Sequence, residues 1–389
     1  MRGLARAAKR AGEMAFNAGG GTINWFPGHM AAASRAIRDR LKLADLVIEV
    51  RDARIPLSSA NEDLQTVLSA KRRIIALNKK DLANPNIMNR WQHHFESCKH
   101  DCISINAHSS NSVSQLLGLV ELKLKEAILK EPTLLVMVVG VPNVGKSALI
   151  NSIHRIATSR FPVQDKIKRA TVGPLPGVTQ DIAGYKIASQ PSIYVLDTPG
   201  VLVPSIPDME TGLKLALTGA VKDSVVGEER IAKFLLSLLN IRKTPLHWER
   251  LLHRREELDE MTYDNSEKHS RDSQRRRRRL NNSDALYVQV TGLDYVAWGQ
   301  AFSRIPLRDL VMEVQRTLCS TLMDFTGNTD DEGDLESLID MQLTALRKVF
   351  RIPHKPFDET HGPTSKKLLT LFRSGKLGPF ILDDLPDEQ

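Results

Sequence analysis

Short apolar runs recur along the first half of the chain, at residues 46–50, 74–77, 102–105, 134–139, 185–188 and 193–196. Before the first of them, at 31–43, and between later ones, at 113–130 and 146–156, apolar residues instead return every three or four positions. Short runs bounded by turn residues read as buried strands, and the spaced pattern reads as amphipathic helix. Strands alternating with helices predict an α/β fold, with a mainly parallel sheet covered on both faces. Past residue 200 the strand pattern stops. Residues 208–252 read as helices, with apolar positions at Leu213, Leu217 and Val221 and again at Ile231, Leu235, Leu238 and Leu239; residues 306–325 and 335–350 read the same way. Residues 254–283 are polar and charge-segregated, with Glu256, Glu257, Asp259 and Glu260 first and five arginines at 275–279 last. They carry too little apolar surface to offset the entropy of ordering, which predicts a disordered insertion. The expected organisation is a leader at 1–23, an α/β domain at 24–203, and a helical domain at 204–389 interrupted by that insertion.

Composition narrows this picture. With 389 residues, 41% hydrophobic and 26% charged, the chain can bury one full α/β core and still build a second domain. No apolar run reaches the length that spans a bilayer, so no transmembrane segment is expected. Three cysteines, Cys98, Cys102 and Cys319, are too few for a disulfide framework and have no partner pair for a metal site. The net charge of +8 is uneven: residues 1–42 hold eight Lys/Arg against Glu13 and Asp39. That balance favours a polyanionic partner, RNA or anionic lipid. Residues 1–22 hold four basic residues, one acidic residue and no serine, and a helix there would set Leu4, Ala8 and Ala11 on one side. This describes a mitochondrial presequence, with a plain basic tail as the competing reading. The expectation is a monomer in the mitochondrial matrix, with peripheral association at the matrix face of the inner membrane compatible with it.

The chemistry lies in four short strings. GVPNVGKS at 140–147 has the spacing of a phosphate-binding loop, with a strand before it and a helix after it. Gly140 and Gly145 allow the tight backbone whose N–H groups face phosphates, along Asn143, Val144, Gly145, Lys146, Ser147 and Ala148. Lys146 adds a point charge at the β and γ phosphates, and the Ser147 hydroxyl is placed to ligate Mg²⁺. DTPG at 197–200 ends a strand; Asp197 suits Mg²⁺ through a water, and the Gly200 N–H suits a γ-phosphate. PGVT at 176–179 occupies the first switch, with Thr179 as second hydroxyl ligand of Mg²⁺. NKKD at 78–81 follows another strand. Asp81 would accept hydrogen bonds from guanine N1–H and the exocyclic amine, a pair adenine does not offer, which selects GTP over ATP. Asn78 and Lys79 would brace base and loop. Ser104, Ile105, Asn106 and Ala107 would meet guanine O6 through backbone N–H groups.

The order is inverted relative to an ordinary GTPase, because NKKD and its partner loop precede the phosphate loop. The original ends have been joined near 125–133 and new ends opened after DTPG, which predicts a circularly permuted P-loop GTPase domain. The second switch then runs directly into the helical part of the chain, so contact with γ-phosphate is able to shift that part.

WFPGHM at 25–30, DARIP at 52–56, NKKD, GVPNVGKS, PGVT and DTPG, in that order, resemble the circularly permuted ribosome-assembly GTPases, in particular the mitochondrial ribosome-associated GTPase 1 group, which in plants includes the mitochondrial DAR GTPases. The likeness covers about residues 24–250 and resumes at FRSGKLG, 372–378. It implies a GTP-hydrolysing assembly factor for the mitochondrial large ribosomal subunit that binds rRNA in the GTP state. It also implies that His29 replaces the water-orienting glutamine many GTPases carry after DTPG, since Val201 and Leu202 stand there instead, and that Asn143 ligates potassium. Two departures stand out: Met30-Ala31-Ala32-Ala33 lacks the lysine relatives often carry, and 254–283 interrupts the helical region. A nucleotide-gated rRNA scaffold with little hydrolysis, and a nucleolar relative acting on cytosolic ribosomes, are the alternatives.

Overall fold

The computed structural model describes residues 11–12, 14, 23–24, 28–129, 131, 133–160, 183–189, 192–198, 205–206, 208–252, 307–353 and 360–386. The insertion read at 254–283 lies outside them. Two compact units are distinguished, residues 1–238 with 360–389, and residues 239–359.

The first unit is built on the strand β2 (Leu46–Asp52), all seven residues of which are buried. It lies between β3 (Arg73–Asn78) and β5 (Thr133–Val139), both parallel to it. The sheet continues outward with β4 (Asp101–Ser104) beside β3, and with β7 (Ser192–Asp197) and then β6 (Ala183–Ser189) beyond β5. Only β6 is antiparallel to its neighbour, in a hairpin with β7. Five parallel strands therefore end on one edge, where loops of an open α/β sheet build ligand sites. A separate pair, β1 (Ile23–Asn24) and β8 (Ser205–Ile206), runs antiparallel. It ties the backbone entering WFPGHM to the backbone leaving DTPG.

The helices cover the sheet as amphipathic stripes. Ile37 and Leu41 of α1 (Gly28–Leu41) pack with Leu64 and Leu68 of α2 (Glu62–Leu68) onto Val47, Met137 and Val139. On α3 (Pro85–Ser97), Met88, Trp91 and Phe95 follow three- and four-residue spacing and pack with Ile75 and Leu77. Asn84 caps that helix by accepting from the Asn86 and Ile87 amides, with Pro85 at the first helical position. The helices α4 (Ser110–Ile128) and α5 (Lys146–Arg160) complete the cover.

Two boundaries differ from the sequence reading. The helix expected from residue 31 begins at Gly28, so Gly28, His29 and Met30 belong to its first turn. The strand expected at 102–105 runs one residue earlier, because backbone pairing with β3 sets its register and hydrophobicity does not. The expected helical stretch 208–252 is broken into α6 (Met209–Leu217), α7 (Asp223–Val226) and α8 (Glu228–Ile241), with left-handed glycines at 219 and 227 in the breaks. The stretch 360–386 holds a helix that the periodicity did not reveal, α11 (Gly362–Arg373). Ala11 and Met14, inside the expected leader, are buried, and the Ser237 hydroxyl donates to Met14 Sδ.

The second unit contains α9 (Leu307–Met323) and α10 (Glu332–Val349). Its core includes Leu310, Val314, Leu318, Leu335, Ile339, Leu343 and Leu346. Within that apolar setting Asn240 and Gln342 exchange both amide hydrogen bonds, 2.8 and 2.9 Å, and both are fully buried. A satisfied amide pair costs little to bury and specifies one helix register, since a slipped register strands two polar groups.

Candidate functional site

The loops at the carboxyl edge of β2, β3, β4, β5 and β7 converge. The phosphate-type loop leaves β5 and enters α5 at Lys146. Gly145 has φ of 94°, and a Cβ there would stand 2.3 Å from Asn78 Nδ2. The residue type is thus demanded both by backbone conformation and by the close approach of Asn78. Asn78 is buried at the end of β3 and holds two loops at once. Its Nδ2 donates to Val144 O (2.8 Å), and its Oδ1 accepts from the Ala107 amide (2.9 Å). Segments 66 and 29 residues away in the chain therefore meet on a single side chain.

Lys79 has φ of 63°, an uncommon left-handed conformation for a lysine. Its ammonium donates to Asn143 O (2.6 Å) and to Asp52 Oδ2 (2.9 Å). The bend launches the short turn Lys80–Leu82, where Asp81 is exposed at the sheet edge. Lys80 N donates to Ile105 O, which joins that turn to the loop after β4. In that loop Asn106 N donates to Ser112 Oγ, His108 N to Asn106 Oδ1, and the Ser104 hydroxyl to Gln92 Oε1. Ser152 of α5 donates to Ala107 O at 2.5 Å. A cleft of about 690 Å³ opens along α5 beside this loop, lined by His108, Ala148, Asn151, Ser152, His154 and Arg155 among others.

Lys146 is buried, with Nζ donating to Val141 O at 2.8 Å across its own loop. Ser147 and Ala148 stand half-buried in the first turn of α5. Asp197 ends β7, the strand next to β5, and the Thr198 hydroxyl after it donates to Val138 O (2.7 Å). Thr179 and Gly200 lie outside the described residues, as do the side chains of His29 and Asp197. By backbone position His29 is the second residue of α1, five positions after the strand that pairs with β8. The donor set expected for a metal (Ser147, Thr179 and Asp197) consists of oxygens alone. It suits Mg²⁺, which binds through a few protein oxygens plus phosphate and water.

The DARIP string at 52–56 has a structural task that its sequence does not assign. Asp52 is buried and accepts from Arg54 Nε (2.9 Å), Arg54 Nη2 (2.8 Å) and Lys79. Burial by itself would raise its carboxyl, but the Arg54 and Lys79 charges outweigh that and hold it well below the usual carboxylate range. Burial pulls the Lys79 ammonium below its ordinary value, and Asp52 works against that shift. The visible signal was an acidic–basic pair at the end of an apolar strand, where a lone charge would be prohibitive. Because Asp52 titrates lower in the folded than in the unfolded chain, its stabilisation is complete above about pH 4 and falls away as acid approaches the folded-state value. Urea unfolding at pH 6 and pH 3 should show the wild type losing roughly 1.4 kcal/mol per unit below pH 4 from this group. The Asp52→Asn variant, already less stable at pH 6, should lose correspondingly less; equal losses would remove Asp52 from that role.

A family model described as 50S ribosome-binding GTPase matches residues 135–290. It starts at β5, as a model that begins with the phosphate loop must when the guanine loops lie upstream. Over 384 residues the chain is 64% identical to Short integuments 2, mitochondrial, of Arabidopsis thaliana, covering 97% of this chain and 93% of that protein. It is 38% identical over 363 residues to DAR GTPase 2, mitochondrial, of the same plant, covering 92% and 90%. To Ribosome biogenesis GTPase A of Bacillus pumilus it is 38% identical over 225 residues, covering 56% of this chain and 75% of that one.

Proposed function

Since the chain belongs to the circularly permuted ribosome-assembly GTPases, in the group of the plant mitochondrial DAR proteins, we propose that it acts in mitochondria as an assembly factor for the large ribosomal subunit, binding rRNA while GTP is bound and hydrolysing GTP once docked. The observation that carries the nucleotide part of this reading is the double hydrogen bond of Asn78, which joins the 140–147 loop to the 104–107 loop; the ribosomal part rests on the relative named Ribosome biogenesis GTPase A.

In this reading Gly145, Lys146, Ser147 and Ala148 cradle the phosphates, and Asp81 selects guanine; the Asn106 and Ala107 amides, expected at guanine O6, instead donate to Ser112 Oγ and Asn78 Oδ1 and shape the loop. Ser147, Thr179 and Asp197 would hold Mg²⁺, which supplies charge neutralisation at the β and γ oxygens. Asn143 would offer its amide oxygen to potassium. Water attacks the γ-phosphorus as the bond to the bridging oxygen breaks, leaving GDP and inorganic phosphate. His29 would orient that water. The β1–β8 pair supports this role, because it ties the backbone leading to His29 to the backbone leaving DTPG.

Mitochondrial targeting rests on the basic, acid-poor start and on the two Arabidopsis relatives named mitochondrial. A leader removed before Ala11 would keep the Met14–Ser237 contact; one removed at residue 23 would lose it.

The test is co-sedimentation with mitochondrial large subunits, expected with a non-hydrolysable GTP analogue and lost with GDP. Added subunits should raise turnover by orders of magnitude, up to about 10⁵-fold in this chemistry. Unchanged turnover would count against an assembly GTPase. The absence of a glutamine after DTPG favours the second reading, a scaffold with little hydrolysis. Single-turnover hydrolysis on subunits separates the two: equal slow rates for wild type and His29→Ala support the scaffold.

A further inference from the structure

The helix α6 ends in a motif with a defined carbonyl direction. Gly219 N donates to Ala216 O (3.0 Å) and Ala220 N donates to Leu215 O (2.8 Å), with Gly219 at φ 85°. These are the paired bonds of a Schellman cap, which fixes the peptide at its left-handed glycine. The Gly219 carbonyl then accepts from Asn143 Nδ2 at 2.8 Å. An amide that donates to a carbonyl has its orientation set, so the direction of the Asn143 oxygen follows from Gly219.

The end of α6 is held in turn by Arg373, the last residue of α11. Its Nε donates to Leu217 O (3.0 Å) and its Nη2 to Ala216 O (2.8 Å). The same guanidinium makes a fork–fork pair with Asp223, at 2.8 and 2.6 Å. A cation beside a helix C-terminus is favourable for its dipole alone, and a lysine would serve that purpose. Gripping two carbonyls and a carboxylate together requires the planar fork of arginine.

We propose that Arg373 is a positioning residue for the phosphate loop: through the end of α6 and the Gly219 carbonyl it sets the Asn143 side chain. The inference rests on the nucleotide-site reading of that loop. The same C-terminal stretch also braces the guanine side of the site. Phe380 N donates to Leu82 O (3.1 Å), one residue past Asp81, and Leu382 N donates to Arg54 O (2.8 Å). Arg54 lies over the Phe372 ring at 5.8 Å, and Asp383 accepts from the Leu57 and Ser58 amides. Residues 362–383, more than 200 positions from the phosphate loop, thus pack against the turn that carries Asp81 and against DARIP.

The experiment is a double-mutant cycle in the full chain, read as affinity for a fluorescent GDP. Arg373→Lys keeps a charge for Asp223, and cooperative urea unfolding of each variant verifies that it folds. Arg373→Lys and Asn143→Ala should each weaken binding about fivefold, and the double variant should bind no more weakly than Asn143→Ala alone. A merely structural Arg373 would lower stability while its effect on affinity multiplied with that of Asn143→Ala; multiplied effects overturn the relay. A folded wild type that binds no GDP overturns the nucleotide reading and the relay with it.

Discussion

Asp81→Asn should abolish guanine selectivity, by about 10⁴-fold in the ratio of GTP affinity to the affinity for competing purine nucleotides. The carboxylate has two acceptor oxygens for the two donors on the guanine edge. An asparagine amide offers one acceptor and one donor, so its nitrogen would face the exocyclic amine, donor against donor. The same exchange should favour xanthosine triphosphate, which carries a carbonyl where guanine carries the amine. Asp81 is exposed in the turn Lys80–Leu82. The turn itself is held by the Lys80 N to Ile105 O and Phe380 N to Leu82 O bonds, neither of which uses the carboxylate. Stability should therefore stay within about 0.5 kcal/mol of wild type, as for exposed substitutions generally. Competition binding with GTP, ATP and xanthosine triphosphate checks the prediction; a variant that still prefers GTP would take Asp81 out of base recognition.

How much of this was legible in the sequence depended on whether a residue's task is local. The phosphate loop and NKKD are runs whose backbone shape and chemistry are encoded within a few positions, so spacing alone is enough to propose them. The parallel sheet followed from strand runs separated by helical spacing. Asn78 could be read as a brace, but its partners at Val144 and Ala107 lie on other loops, and no local pattern points to them. Arg373 was harder still. FRSGKLG marks its segment as one the likeness covers but assigns it no task, and its work is done on carbonyls more than 150 positions away. The permutation compounds this: joining the old ends puts NKKD ahead of GVPNVGKS, and 360–386 packs back against Arg54 and Leu82 from the far end of the chain. Residues 208–238 read as helical and distant in the sequence and 360–386 showed no helical period, yet both lie within the first compact unit. Helix periodicity reports a buried face and says nothing about which core buries it.

Asn78→Ala is expected to damage both fold and nucleotide binding, because one side chain satisfies backbone groups on two separate loops. Removing it strands the Val144 carbonyl and the Ala107 N–H, both buried in the wild type. Each stranded group costs about 1–3 kcal/mol, so roughly 2–6 kcal/mol of unfolding free energy should be lost. The void left beside Gly145 would also free the phosphate loop from the end of β3, since Asn78 Nδ2 occupies the space where a side chain at 145 would sit. Asn78→Asp separates the two bonds. It keeps an acceptor for Ala107 N but places a carboxylate oxygen against Val144 O, so acceptor faces acceptor and the charge is buried. That variant should be at least as unstable as Asn78→Ala at neutral pH. Protonation restores a donor, so the carboxyl should titrate high in the folded chain. Its deficit would be absent below the unfolded value near pH 4 and grow as pH rises through the folded value. Urea unfolding with and without GDP, at pH 5 and pH 8, reads all of this. If both variants unfold at the wild-type urea concentration and bind GDP normally, Asn78 does not hold the two loops together.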